Sequence, residues 1–237
     1  MSNTNSLVGG GGVSLEHINA LNNNIIAVYK EVNFIKTLLL KNSNINNIFD
    51  TIYETNAWGN GSGSGSKESL NVEYVSFLQD FFKKFNIKTI SDVGCGDWQF
   101  SKNIDFSGIS YTGYDVANFV ITRNLKNFLA HNINFICYDG DFDKVKDADL
   151  LICKDVLQHL DNDKISHFIA NLPRFKYALI ANDLLDSPSL NAQINTGQYR
   201  PLDLRKEPFN LSCEPVFWIK RMPKEPDICV MLWQNNK

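Results

Sequence analysis

From Lys88 onward, short runs rich in β-branched and aromatic residues alternate with stretches of helical character. That alternation limits the possible fold more than any other feature of the chain. Runs at 89–93, 111–114, 134–138, 150–153 and 177–181 read as strands. Helices are expected at 98–103, at 117–130, near 142–145, at 163–172 and near 189. Strands separated by helices make a parallel sheet with helices on both faces. The last two runs, 216–219 and 228–233, have no long helix between them and are expected to form an antiparallel hairpin at one edge. The chain is therefore read as α/β, a Rossmann-like seven-stranded sheet preceded by an N-terminal helical segment. Ligands of such sheets bind beyond the carboxyl ends of the strands, where the strand order reverses.

Upstream of the sheet, residues 1–13 are polar, include four consecutive glycines at 9–12, and are expected to be disordered. Residues 14–48 form the expected helical segment. Over 14–41, Ile18, Leu21, Ile25, Val28, Val32, Ile35 and Leu39 alternate spacings of three and four, a heptad stripe about three repeats long. The stripe leaves two outcomes open, pairing with a second copy as a homodimer or docking on the chain's own domain. An Asn-rich break follows at 43–48. Residues 49–237 are assigned to the main domain. Within it, Trp58-Gly59-Asn60-Gly61-Ser62-Gly63 begins a Gly/Ser run that reads as a linker or as a loop closing over a ligand. A further amphipathic helix is expected at 69–85.

Composition narrows the function by exclusion. With 23 Lys and Arg against 26 Asp and Glu, the net charge is -3, so the chain lacks the basic surplus of a nucleic-acid binder. No apolar run approaches the roughly 20 residues that span a bilayer, and the first residues do not read as a secretory signal, so a cytoplasmic site of action is expected. Five cysteines without C-x-x-C spacing, and four histidines apart from them, give no support to a structural metal site.

The chemistry is expected at the strand ends. The first strand runs into Asp92-Val93-Gly94-Cys95-Gly96-Asp97-Trp98, where two glycines let the backbone turn sharply and approach a ligand. A dinucleotide site needs a third glycine, and Gln99 stands in its place, which disfavours NAD. The second strand ends at Asp115, about 20 residues on, placed to accept from ribose hydroxyls. The third ends in Asp139-Gly140-Asp141, where a carboxylate can face an adenine amino group. The fourth leads into Lys154-Asp155-Val156-Leu157-Gln158-His159.

The ordered series DVGCGD, YTGYD, CYDGD and DLLICKDVLQHL resembles the motifs of class I S-adenosylmethionine (SAM)-dependent methyltransferases over about residues 85–237. The resemblance implies SAM as cofactor, held by Asp92, Gly94, Cys95, Gly96, Trp98, Asp115, Asp139, Gly140, Asp141 and Lys154. Transfer from a sulfonium needs in-line alignment, and an alcohol acceptor needs a base. His159 is the candidate base, with Asp155 four residues earlier to orient it. No resident metal is expected; Asp155, Asp183 and His159 offer oxygen and nitrogen donors for Mg²⁺, but no tight ligand spacing supports such a site.

The stretch Gly197-Gln198-Tyr199-Arg200-Pro201-Leu202-Asp203-Leu204-Arg205, with 58–63 and Gly94–Ser101, further resembles a methyltransferase subgroup from bacterial surface-polysaccharide gene clusters. That likeness implies O-methylation of a sugar hydroxyl on a nucleotide-activated sugar, a heptose by expectation, in capsule biosynthesis. The alternative acceptor is a phosphoramidate group on the glycan precursor. Trp58, Lys154, Tyr199, Arg200 and Arg205 are the expected acceptor contacts, the arginines as a phosphate clamp. A non-catalytic scaffold that kept the fold is the rival from another class.

Overall fold

The computed structural model describes residues 15–19, 21–22, 24–25, 28, 32, 44–221 and 225–236. The chain divides into two compact units, 1–42 and 43–237. In the first, the described residues are helical, and Leu15, Ile18, Leu21, Ile25, Val28 and Val32 are all exposed. The expected disorder of 1–13 and the remainder of the 14–41 helix lie outside the described residues.

The second unit starts earlier than the assigned boundary at 48/49, because the Asn-rich stretch is no break. Asn44 caps a helix by accepting from the Asn47 amide at 2.9 Å, and α1 (Ile45–Glu54) follows. Its buried residues, Ile48, Phe49, Ile52 and Tyr53, recur at the spacing of one helical face. In α2 (Val72–Lys84), Tyr74, Val75, Leu78, Phe81 and Phe82 make the buried stripe. Glu73 in the first turn and Lys83 and Lys84 in the last complement the helix dipole.

The sheet strands are β1 (Thr89–Val93), β2 (Ser110–Asp115), β3 (Ile133–Cys137), β4 (Leu150–Lys154), β5 (Tyr177–Asp183), β6 (Glu214–Ile219) and β7 (Ile228–Gln234). Helix α3 (Asn118–Phe128) joins β2 to β3, and α4 (Asn162–Asn171) joins β4 to β5. The order is β3-β2-β1-β4-β5-β7-β6. The first five strands pair in parallel, while β7 runs antiparallel to both β5 and β6. All seven expected strands are present in the expected arrangement. Every residue of β4 is buried, as a central parallel strand covered on both sides requires. Side chains alternate across each strand. Asp92 and Ile152 share a cavity with Leu78 of α2, while Val93 and Leu151 share one with Phe168 of α4. Helices therefore cover both faces.

Three expected helices are absent as α-helices, and the one near 142–145 is only a 3₁₀ turn at Phe142–Lys144. Residues 98–103 give only a 3₁₀ turn at Ser101–Asn103, because Trp98 sits at φ +59°, a left-handed conformation that a right-handed helix cannot include. The segment near 189 is a turn. Among the described residues, no helix is long and apolar enough to cross a membrane.

Candidate active site

A cavity of about 1010 Å³, counting the space at its mouth, opens at the carboxyl ends of β1, β2 and β4, where the strand order reverses. Its floor is the turn after β1. Gly94 and Gly96 both have left-handed φ, +72° and +57°. A side chain at Gly94 would strike Val156, and one at Gly96 would stand 2.5 Å from Ser62 Oγ. The turn is thus a cradle that only glycine permits at these two positions. Cys95 lies between them in the same wall.

Two buried carboxylates flank the cradle. Asp115, ending β2, accepts from the Gly96 amide (3.0 Å) on one oxygen and the Ala117 amide (2.9 Å) on the other. Burial pushes its pKa up to about 6 against the opposing pull of those amides. Each oxygen keeps a lone pair for a ligand hydroxyl. Asp92, ending β1, accepts from Tyr111 Oη at 2.6 Å, and Tyr111 accepts in turn from Trp98 Nε1 at 2.9 Å. Burial raises Asp92 to about 7, with the Tyr111 hydroxyl pulling the other way.

The third strand end departs from expectation. Tyr138, Gly140 and Phe142 line the cavity, with Val116 and Ile45 opposite. Asp139 and Asp141 do not line it. Asp139 pairs with Lys144, which holds its pKa below the usual carboxylate range, and Asp141 caps the following turn through the Asp143 amide. Trp98 also stands back from the cavity. It packs among Phe106, Tyr111, Phe128 and Phe135 and reaches the site only through Tyr111.

At the end of β4, the Lys154 ammonium is buried. It donates to Gly65 O (2.9 Å) and to Asp155 (2.6 Å), with the Phe100 ring 5.5 Å away. Asp155 is therefore committed to Lys154 and does not orient His159. That task falls to the Gln198 carbonyl, 2.9 Å from His159 Nδ1. A carbonyl only accepts, so Nδ1 carries the proton and Nε2 presents a lone pair. Burial depresses the imidazole pKa. The ring packs against Trp58 (centroids 5.1 Å apart, planes at 32°), which lines the cavity, and Tyr199 (5.8 Å), which does not.

The arginine clamp expected from the sequence is not formed. Arg200 is 1% exposed and turned inward, donating to Leu157 O (2.8 Å) and Asn162 Oδ1 (3.1 Å). Burial lowers its pKa to about 10. Arg205 makes a two-pronged pair with Asp203. Arg200 thereby ties the 197–205 segment to the domain, while the Arg205–Asp203 pair lies within the segment itself. The Gly/Ser run is packed as well. Ser62 Oγ donates to Asp97 (2.7 Å), accepts from the Asp97 amide (2.9 Å) and meets Tyr53 Oη (2.9 Å), and Asn71 Nδ2 holds Gly65 O (2.8 Å). Asp155, Asp183 and His159 do not gather, since Asp183 pairs with Arg221 and accepts from Tyr199 Oη. Among the described residues, the side chains close enough to share a metal ion are Asp141, Asp143 and His167, outside the cavity.

Several wall residues escape motif reading: Phe49 and Tyr53 of α1, Tyr74 of α2, Tyr111 and Tyr138. Helix α1 is fixed over the strand ends by Asn46, whose amide donates to Val116 O (2.7 Å) and Tyr138 O (2.9 Å). The one-face spacing of Ile48, Phe49, Ile52 and Tyr53 was the available signal.

No family model matches the chain. Over 122 residues, 48% of the chain, it is 30% identical to the ubiquinone biosynthesis O-methyltransferase of Hydrogenovibrio crunogenus, and the match spans 50% of that protein's length. Among solved structures, it resembles the N-methyltransferase NodS of Bradyrhizobium japonicum WM9 (TM-score 0.53, 13% identity, 71% of this chain and 98% of that one). It also resembles the bifunctional kinase-methyltransferase WbdD (TM-score 0.54, 14% identity, 70% of this chain and 40% of that one). TehB of Haemophilus influenzae superposes with TM-score 0.50 at 16% identity, over 68% of this chain and 62% of its own. Strand order, glycine cradle and structural likeness agree that this chain has the fold of the class I SAM-dependent methyltransferases.

Proposed function

We propose that the chain is a SAM-dependent O-methyltransferase whose acceptor is a sugar hydroxyl. The observation that carries the cofactor reading is the glycine cradle between two buried carboxylates at the switch point of the sheet. The donor set fits SAM. Asp115 has lone pairs for both ribose hydroxyls, the wall of Val116, Tyr138 and Phe142 suits a flat base, and Asp92 suits a cationic amine. SAM supplies a methyl group on a sulfonium, already electrophilic. The protein's part is to hold the acceptor in line, exclude water and remove one proton.

His159 is placed for the proton. Its Nδ1–H is anchored on the Gln198 carbonyl, its depressed pKa keeps it neutral at pH 7, and Nε2 is left as the base. Trp58 and Tyr199 pack against the ring and give it a fixed seat, and Trp58, which lines the cavity, offers an aromatic face to the C–H surface of a sugar. The hydroxyl reading is favoured over the phosphoramidate one because the guanidinium groups of Arg200, Arg205 and Arg221 are each engaged by acceptors of the chain itself. The nucleotide-activated sugar and the place in capsule biosynthesis are carried by the sequence resemblance, and a cytoplasmic site of action is proposed with them. Pairing of two copies through the 14–41 stripe, whose described apolar residues are exposed, belongs to the same proposal.

The test is calorimetric titration with SAM, then incubation with a panel of nucleotide sugars and detection of a product heavier by one methylene. Micromolar SAM binding that disappears in Asp115→Ala is the expected result. A folded chain that binds no SAM would return the scaffold reading.

A further inference from the structure

Helix α2 carries a hydroxyl that the fold leaves without a partner. Tyr74 is 1% exposed and lines the cavity, yet its Oη makes no hydrogen bond. Buried polar groups in folded proteins are almost always paired, so an orphan calls for a missing partner. Burial, with the Asp92 and Asp155 carboxylates nearby, raises the phenol's pKa, so Tyr74 stays an O–H donor. The cavity that Tyr74 lines is also lined by Lys154, whose ammonium has three N–H groups and two acceptors in the chain, Gly65 O and Asp155. The Asp92 carboxylate lies in the same wall and has one side-chain donor, Tyr111. One region of the cavity thus offers two donors and an anionic acceptor.

A ligand that satisfies all three carries a carboxylate and an ammonium on one carbon. We propose that Tyr74, with Lys154, recognises the α-carboxylate of the amino-acid end of SAM while Asp92 receives its ammonium, an assignment that rests on the cofactor reading above. Helix α2 then takes part in the cofactor site, and Tyr74 tells the full cofactor from adenosyl thioethers that lack the amino acid.

The experiment compares SAM with 5′-methylthioadenosine, which keeps the adenosine and sulfur and lacks the amino-acid end, by calorimetry on the full chain and its Tyr74→Phe variant. Loss of a hydrogen bond to a charged group weakens SAM roughly ten- to a hundredfold. Methylthioadenosine affinity stays within about twofold, since it has no group for this region. The ligand-free variant keeps or exceeds the wild-type melting temperature, because only an unpaired hydroxyl has been removed. Unchanged SAM affinity in Tyr74→Phe, or equal weakening of both ligands, overturns the assignment while leaving the cofactor reading intact. A wild-type chain that binds neither ligand overturns both.

Discussion

His159 is the residue on which the proposed chemistry turns, and its environment makes a prediction about acid. The depressed pKa means that the neutral imidazole persists below the ordinary histidine range. Activity as kcat/KM should hold across neutral pH and fall only as pH drops through that lowered value, where Nε2 takes a proton and ceases to be a base. His159→Ala should lower turnover roughly a hundred- to ten-thousandfold with SAM affinity nearly unchanged. A variant with full turnover and an unaltered pH profile would mean that the acceptor needs no base. At this scale the sequence was half legible. Glycines, Asp92 and Asp115 could be placed from motif order because their roles are tied to strand ends. Arg200, Arg205, Asp139 and Asp155 could not, because a charged side chain chooses among partners that only the tertiary structure brings near, and each found one within the chain.

Among the elements, the 58–66 segment is the one whose composition misleads. It reads as a linker, yet two of its glycines, Gly61 and Gly65, are where the backbone approaches other parts of the domain closely. A side chain at Gly65 would stand 2.5 Å from Asp155. Asn71, fully buried, anchors the segment by donating to Gly65 O and Lys67 O (2.8 and 2.7 Å). Asn71→Ala should destabilise the chain by about 1–3 kcal/mol, read as a lower urea midpoint, and should speed tryptic cleavage at Lys67. Equal stability and cleavage would show that the segment is held by other means. The strands were legible to within two residues, the central ones because burial on both faces demands apolar runs and the edge strands β3 and β6 from their β-branched and aromatic residues. Helix α1 was not, since its Asn-rich start looked like a break when Asn44 was in fact its cap. The expected helix after β1 would have begun on Trp98, whose left-handed backbone leaves no signature in the sequence, and the residues after it form only a turn and a 3₁₀ helix.

For the whole molecule, the exposed stripe of Ile18, Leu21, Ile25, Val28 and Val32 sets an expectation about assembly. Exposed apolar residues at heptad spacing favour pairing with an identical stripe. Sedimentation equilibrium of the full chain should give twice the monomer mass, and Ile25→Asp should give the monomer. A monomeric wild type would remove the pairing. The fold also separates two jobs by chain position. The strands and their crossovers hold every carboxylate and glycine of the cradle, but the wall formed by Phe49, Tyr53 and Trp58 comes from chain that precedes them. A shortened version starting at α2 would keep all seven strands and still be a roofless vessel, open to bulk water on the side that Phe49, Tyr53 and Trp58 close. In this protein the shelter is an outwork of the barn, and two of its timbers, Phe49 and Tyr53, are ones that a motif search passes over.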